Sequence, residues 1–209
     1  MNKYIYLRRN MKNIIFDLGN VLVNFHPRDF VDKHVLEEKR EKIFRLILQG
    51  EEWQKLDRGT ITQQEALESF LRKMPEEKET ICKIFPIYLT DCLSPNQENI
   101  KLVYELKKRG YSLYVLSNFH KNLFEKIEKE WGVFQQFDGK IISCYHHFLK
   151  PEKEIYELLF KTYQINPEES VFVDDSLENI EMARELGVLG IHLPIREELS
   201  KKLSFLLER

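Results

Sequence analysis

The sequence predicts an α/β protein built on a doubly wound parallel sheet, with a helical segment inserted after the first strand. Three observations carry that prediction. Short, near-continuously apolar runs recur along the chain, as in strands buried on both faces. Segments with apolar residues at helical spacing alternate with these runs, the pattern of βαβ units. About 90 residues separate the first run from the second, where one βα unit needs only about 30.

Taken in order, Ile14-Ile15-Phe16 forms the first strand and ends on Asp17. Residues 27–92 then read as entirely helical. Ile43, Phe44 and Ile47 mark one helix, and Ile81, Ile84 and Phe85 another. Between them Thr62 and Glu65 form a capping box ahead of Ala66, Leu67, Phe70, Leu71 and Met74. Residues 96–109 read as a helix that gathers Lys107, Lys108 and Arg109 in its last turn and stops at Gly110. The second strand, Leu113 to Leu116, leads into Ser117-Asn118. A helix over 120–131 places Leu123, Phe124, Ile127 and Trp131 on one stripe. The third strand is Ile141 to Cys144, and Pro151 opens the next helix, over 151–163, from its first turn. Val171-Phe172-Val173 forms the fourth strand before Asp174-Asp175. A helix over 177–186 and a last strand over 188–191 complete the pattern. The domain boundaries are therefore 1–26 with 93–209 for the core, and 27–92 for the insertion. An insertion at that point overhangs the carboxyl ends of the strands, where open α/β sheets bind ligands.

Composition narrows the function classes. With 43% hydrophobic and 32% charged residues over 209 positions, the chain can bury a core, which excludes disorder and a disulfide miniprotein. Thirty-two basic against 34 acidic residues give a net charge of −2, so no global field favours nucleic acid. No apolar run approaches the ~20 residues of a membrane helix. Cys82, Cys92 and Cys144 include no C-x-x-C pair and read as reduced thiols of a cytoplasmic protein. Residues 1–10 lack the apolar core of a secretory signal and read as a disordered extension ahead of Met11.

Polar residues interrupt the pattern at the strand ends. Asp17, Ser117, Asn118, Asp174 and Asp175 all close strands, and Lys150 precedes a proline. Each alone is an ordinary turn, cap or surface residue. Together they bring carboxylates, a hydroxyl, an amide and an ammonium to one sheet edge, the composition of a reaction site. His146-His147 on an extended backbone would point apart and reads as a surface pair. Trp53 and Trp131 read as packing residues, Trp53 with the better claim to face a ligand.

These residues carry a resemblance. Ile15-Phe16-Asp17-Leu18-Gly19-Asn20-Val21 resembles the first motif of the haloacid dehalogenase (HAD) superfamily. Val115-Leu116-Ser117-Asn118 resembles the second, Lys150-Pro151-Glu152 the third, and Val171-Phe172-Val173-Asp174-Asp175 the fourth. Four motifs in order across residues ~13–192 make the resemblance specific. The spelling around Asp17, with Trp53 to Ile61, is most similar to bacterial α-D-glucose-1-phosphate phosphatase-like members. The resemblance implies a Rossmann-like core with a helical cap, and a phosphatase whose nucleophile is Asp17. It further implies Mg²⁺ held by Asp17, the Gly19 carbonyl and Asp175, with Asp174 in or beside that shell. Ser117, Asn118 and Lys150 would bind the phosphoryl oxygens, and Lys150 would share in catalysis. A small phosphorylated metabolite, with a sugar phosphate foremost, is the implied substrate, and the protein a monomer or homodimer with no nucleic-acid or membrane partner. One departure stands out. Relatives carry a second aspartate two residues after the nucleophile as general acid, and here that position is Gly19. His26, Glu51, Glu52 and Asp57 are the candidates to replace it. A 2-haloacid dehalogenase and a catalytically weak binding protein are the rival readings. The paired acids Asp174-Asp175 oppose the first, and Gly19 favours the second.

Overall fold

The computed structural model describes residues 11–207, so the extension read at residues 1–10 lies outside the described residues. Five strands form a parallel sheet: β1 (Asn13–Phe16), β4 (Ser112–Ser117), β5 (Gly139–Ile142), β6 (Ser170–Asp174) and β7 (Leu189–His192). Their order is β5-β4-β1-β6-β7. The chain steps outward from β1 on one side and then restarts on the other, which opens a crevice at the carboxyl end of β1. In register, Phe16 lies opposite both Val115 and Val173, so Asp17 and Asp174 leave the sheet at the same edge. Alternation along β1 explains why its run is apolar throughout. Ile14 and Phe16 enter the core on one face while Ile15 packs on the other with Leu116, Tyr156 and Phe172. The doubly wound α/β fold is as the sequence predicts.

Helices α6 (Gln97–Lys108), α7 (Lys121–Glu130), α9 (Lys153–Tyr163) and α10 (Leu177–Glu185) flank the sheet. Five more follow the first strand: α1 (Pro27–His34), α2 (Glu37–Leu48), α3 (Glu51–Arg58), α4 (Gln63–Lys73) and α5 (Lys78–Asp91). Ile43, Ile47, Phe70, Ile81 and Phe85 are buried within this insertion and continue the core cluster of Ile14 and Phe16, with Phe70 edge-on to Phe85 at 5.2 Å. The capping box forms as spelled. Glu65 N–H donates to Thr62 Oγ1 at 3.2 Å, and Thr62 N–H to Glu65 Oε2 at 2.7 Å.

Several local expectations are corrected. The insertion does not hang directly on β1. It is rooted in an antiparallel ribbon of β2 (Val23–Phe25) and β3 (Leu93–Pro95), pairing Val23 with Pro95 and Phe25 with Leu93. Three-residue strands are too short to show a period. The third core strand ends at Ile142, and Ser143–His146 forms a single helical turn, α8. His147 follows in the left-handed region at φ 64°, so the histidine pair does not sit on extended backbone. Pro151 precedes rather than opens α9, whose first residue is Lys153, and the Lys150–Pro151 peptide is cis.

Candidate active site

The crevice gathers the strand-end residues around Asp17. Its Oδ1 accepts hydrogen bonds from Leu18 N–H at 2.7 Å and from the Ser117 hydroxyl at 2.7 Å, and Lys150 Nζ lies 2.9 Å away. Among the described residues, Oδ2 receives no such bond. One carboxylate oxygen is thus pinned by three donors and the other is left open for chemistry.

Lys150 is enclosed between two acids. Its Nζ donates to Asp174 Oδ2 at 2.6 Å, with the Lys150 side chain 1% and that of Asp174 0% exposed. Burial pulls the ammonium toward neutrality, but the charges of Asp17 and Asp174 outweigh it and raise its pKa. Lys150 therefore stays charged. Asp174 has its remaining capacity filled by Ser176 N–H at 2.8 Å and by Asn179 Nδ2, 3.0 Å from each oxygen. The Asn118 side chain does not face outward as a ligand group. It clasps the Lys150 backbone, donating to the Lys150 carbonyl at 3.0 Å and accepting from its N–H at 2.8 Å.

Asp17, Asp174 and Asp175 present carboxylate oxygens that lie within 4.8 Å of one another. Burial, only partly offset by Lys150, pushes Asp17 up to about 7, and burial also raises Asp175. Such crowding of hard oxygen donors is relieved by a divalent cation, and the donor set fits Mg²⁺. Asp174 is saturated by Lys150, Ser176 and Asn179, so Asp17 and Asp175 are the carboxylates with open capacity. Asp175 is itself steered by Asn20 Nδ2 at 2.9 Å, from a residue in the left-handed region at φ 52°.

Residues 11–187 match the family described as haloacid dehalogenase-like hydrolase. The chain belongs to that family. A sesquiterpene phosphatase of Aspergillus oryzae, astK, is 30% identical over 182 residues, covering 87% of this hydrolase and 89% of its own length. A D-ribitol-5-phosphate phosphatase of Bacteroides thetaiotaomicron is 25% identical over 190 residues, 85% and 89% of the two chains. A HAD-family enzyme from the same bacterium superposes with a TM-score of 0.76 at 24% identity, covering 96% of this hydrolase and all of its own chain. That enzyme has also been solved with magnesium and inorganic phosphate.

The insertion of this hydrolase supplies the other half of the site. Of the four groups the sequence offers in place of an acid at Gly19, only Asp57 lines the cavity beside Asp17, which encloses about 220 Å³. His26 is half exposed beside Asp29, Glu51 pairs with Lys55, and Glu52 is buried against Ser69 and Lys73 inside the insertion. Burial first, and the Asp17 charge second, push Asp57 up to about 8, so it is protonated at neutral pH. His120 Nε2 lies 3.1 Å from Asp57 Oδ1, and burial drives that imidazole down to about 3, keeping it neutral. Trp53 packs as expected, with its ring centroid 4.1 Å from that of His120 and 5.9 Å from Phe25, but it also faces the cavity. Trp131 packs on Phe134.

Arg58 and Gly59, in the stretch whose spelling carries the resemblance, dock the insertion on the core. Arg58 donates to the His147 carbonyl at 2.9 Å and pairs with Glu152, whose Oε2 also accepts from Leu149 N–H at 3.0 Å. Gly59, at φ 70°, lies so close to Cys144 that a Cβ would stand 2.0 Å from its carbonyl oxygen. The signal for Gly59 is its place after a charged helix end. The Arg58–Glu152 pair spans 94 residues and leaves no local trace.

Proposed function

We propose that this hydrolase is a Mg²⁺-dependent phosphomonoesterase acting on a small phosphorylated metabolite through an aspartyl-phosphate. The observation that carries the reading is Asp17 with one oxygen pinned and one open, beside an enclosed Lys150 and the open carboxylate Asp175. Asp17, Asp175 and the Gly19 carbonyl would hold Mg²⁺, which supplies positive charge to the phosphoryl oxygens. Lys150 binds the same oxygens as a point charge, Ser117 holds Asp17 in its attacking orientation, and the Asn118 backbone adds a donor. Asp174 holds Lys150 in place. Asp17 Oδ2 attacks phosphorus, and the bond to the alcohol oxygen breaks as that oxygen takes the proton of Asp57. Water then attacks the aspartyl-phosphate, giving its proton to the Asp57 carboxylate. Phosphate leaves and both acids are restored.

The core edge handles the phosphoryl group, and residues 27–92 act as the cap over the leaving group. Two relatives with whole-length similarity agree on the phosphatase reaction and differ in the group their names print, one a sesquiterpene and one the polyol ribitol. The resemblance in sequence favours a sugar phosphate. Free thiols at Cys82, Cys92 and Cys144 favour the cytoplasm, and no described helix is long and apolar enough to cross a membrane. A monomer or homodimer fits a site complete within one chain. The test is hydrolysis of acetyl phosphate and phenyl phosphate with Mg²⁺, expected to vanish in chelator and in Asp17→Asn. Undiminished turnover in chelator overturns the Mg²⁺-dependent reading.

A further inference from the structure

Resting on the phosphatase reading, we infer that the substrate is the monophosphate of a small apolar alcohol, alkyl, alkenyl or aryl, with no hydroxyl beyond the esterified one. The wall of the cavity away from Asp17 and Lys150 consists of Val23, Phe25 and Leu93 from the ribbon, Trp53 from α3, and Phe119 and Leu123 after β4. Most of its polar side chains are already engaged. Asn118 gives one amide hydrogen to the Lys150 carbonyl, and Asn179 gives its own to Asp174. The Trp53 indole bonds to Asp57. Both ring nitrogens of His120 lack a hydrogen-bond partner but are shut off from solvent, with Nε2 facing Asp57. The Asp57 proton is needed by the leaving oxygen itself. Among the described residues, then, the side-chain donors left for a sugar hydroxyl are few: the second N–H of Asn118, and a His120 ring that solvent does not reach.

Polar recognition of a polyol is poor with so few partners. A sugar phosphate carries several hydroxyls, and each one buried against hydrocarbon without a partner lowers binding by about tenfold or more. A hydrocarbon leaving group meets the opposite situation, since its desolvation is itself favourable and six apolar side chains receive it.

The experiment compares kcat/KM for 3-methylbut-3-enyl and benzyl phosphates with that for glucose 6-phosphate and ribitol 5-phosphate, all esters of primary alcohols. Acetyl phosphate, which makes little use of the wall, reports the phosphoryl chemistry alone. The apolar esters are expected to exceed the polyol esters by about 100-fold or more. Leu123→Asn, shown to fold by thermal melting, is expected to cut that preference by about tenfold. Turnover of acetyl phosphate together with a preference for polyol esters overturns the inference and leaves the phosphatase reading standing. So does a preference that Leu123→Asn does not change. Failure on acetyl phosphate as well as on every ester, with Mg²⁺ present, overturns both.

Discussion

At the scale of single residues, the proposed mechanism gives Asp57 the proton transfer that Gly19, with no side chain, cannot perform. Gly19 is not in the left-handed region, and a Cβ there would stand 4.0 Å from Asp17 Oδ2, its nearest neighbour. Neither strain nor crowding requires glycine, so the missing carboxylate is a chemical difference rather than a steric one. Replacing Asp57 by Asn is expected to slow alkyl esters by about 10²–10⁴-fold while sparing acetyl phosphate, whose leaving group needs no proton. Wild-type turnover of alkyl esters should fall as pH rises past about 8, because Asp57 then loses the proton it donates. That falling limb should be absent in Asp57→Asn, and Gly19→Asp in the same background should restore part of the alkyl-ester rate. Rate–pH profiles on an alkyl ester and acetyl phosphate check all three. Asp17, Ser117, Asp174 and Asp175 are legible in the sequence because each closes or follows an apolar run at a strand end, and Lys150 because it stands before Pro151 in the third motif. Asp57 is legible only as one of four candidates. Its placement depends on how α3 docks across the crevice, and no local pattern encodes that.

At the scale of elements, the end of α3 is fixed to the turn of α8 and the loop before α9. The Ser143 hydroxyl donates to the Asp57 carbonyl, Arg58 reaches the His147 carbonyl and Glu152, and Gly59 packs on Cys144. The substitution Gly59→Ala meets both a disfavoured backbone region and a backbone oxygen that cannot turn aside. It should cost about 3 kcal/mol, a fall in Tm of about 10 °C by calorimetry. The long elements are legible because they repeat a period, and the Thr62–Glu65 box marks the start of α4 to the residue. The ribbon of β2 and β3 is not. Three residues a side carry too few alternations, and their pairing joins positions 70 apart, such as Asn24 and Ser94. The turn of α8 is hidden for a similar reason, since Ser143-Cys144 continues an apolar run that a helix and a strand share equally.

At the scale of the whole molecule, stability and metal are linked through the buried acids. Because Asp17 is pushed up to about 7 without metal, a cation competes with its proton. At Mg²⁺ one hundred times its Kd, the gain is about 2.7 kcal/mol, or about 5–10 °C in Tm for a chain of 209 residues. The midpoint concentration of Mg²⁺ should rise as pH drops below about 7, and melting curves at fixed pH and graded Mg²⁺ check it. Asp57 acts in the other direction on the fold alone. Its folded pKa of about 8 exceeds the ordinary value of 3.8, so its contribution is complete below about 4 and is lost as pH rises through 8. The ribbon that roots the insertion has a consequence of another kind. Phe25 and Leu93 are paired neighbours, so the chain leaves the core and re-enters it at one spot. Everything between them is a cassette whose two cut ends already lie side by side. An exchange of that cassette would leave Asp17, Lys150 and Asp175 unaltered, and would have to bring with it a group that takes the place of Asp57.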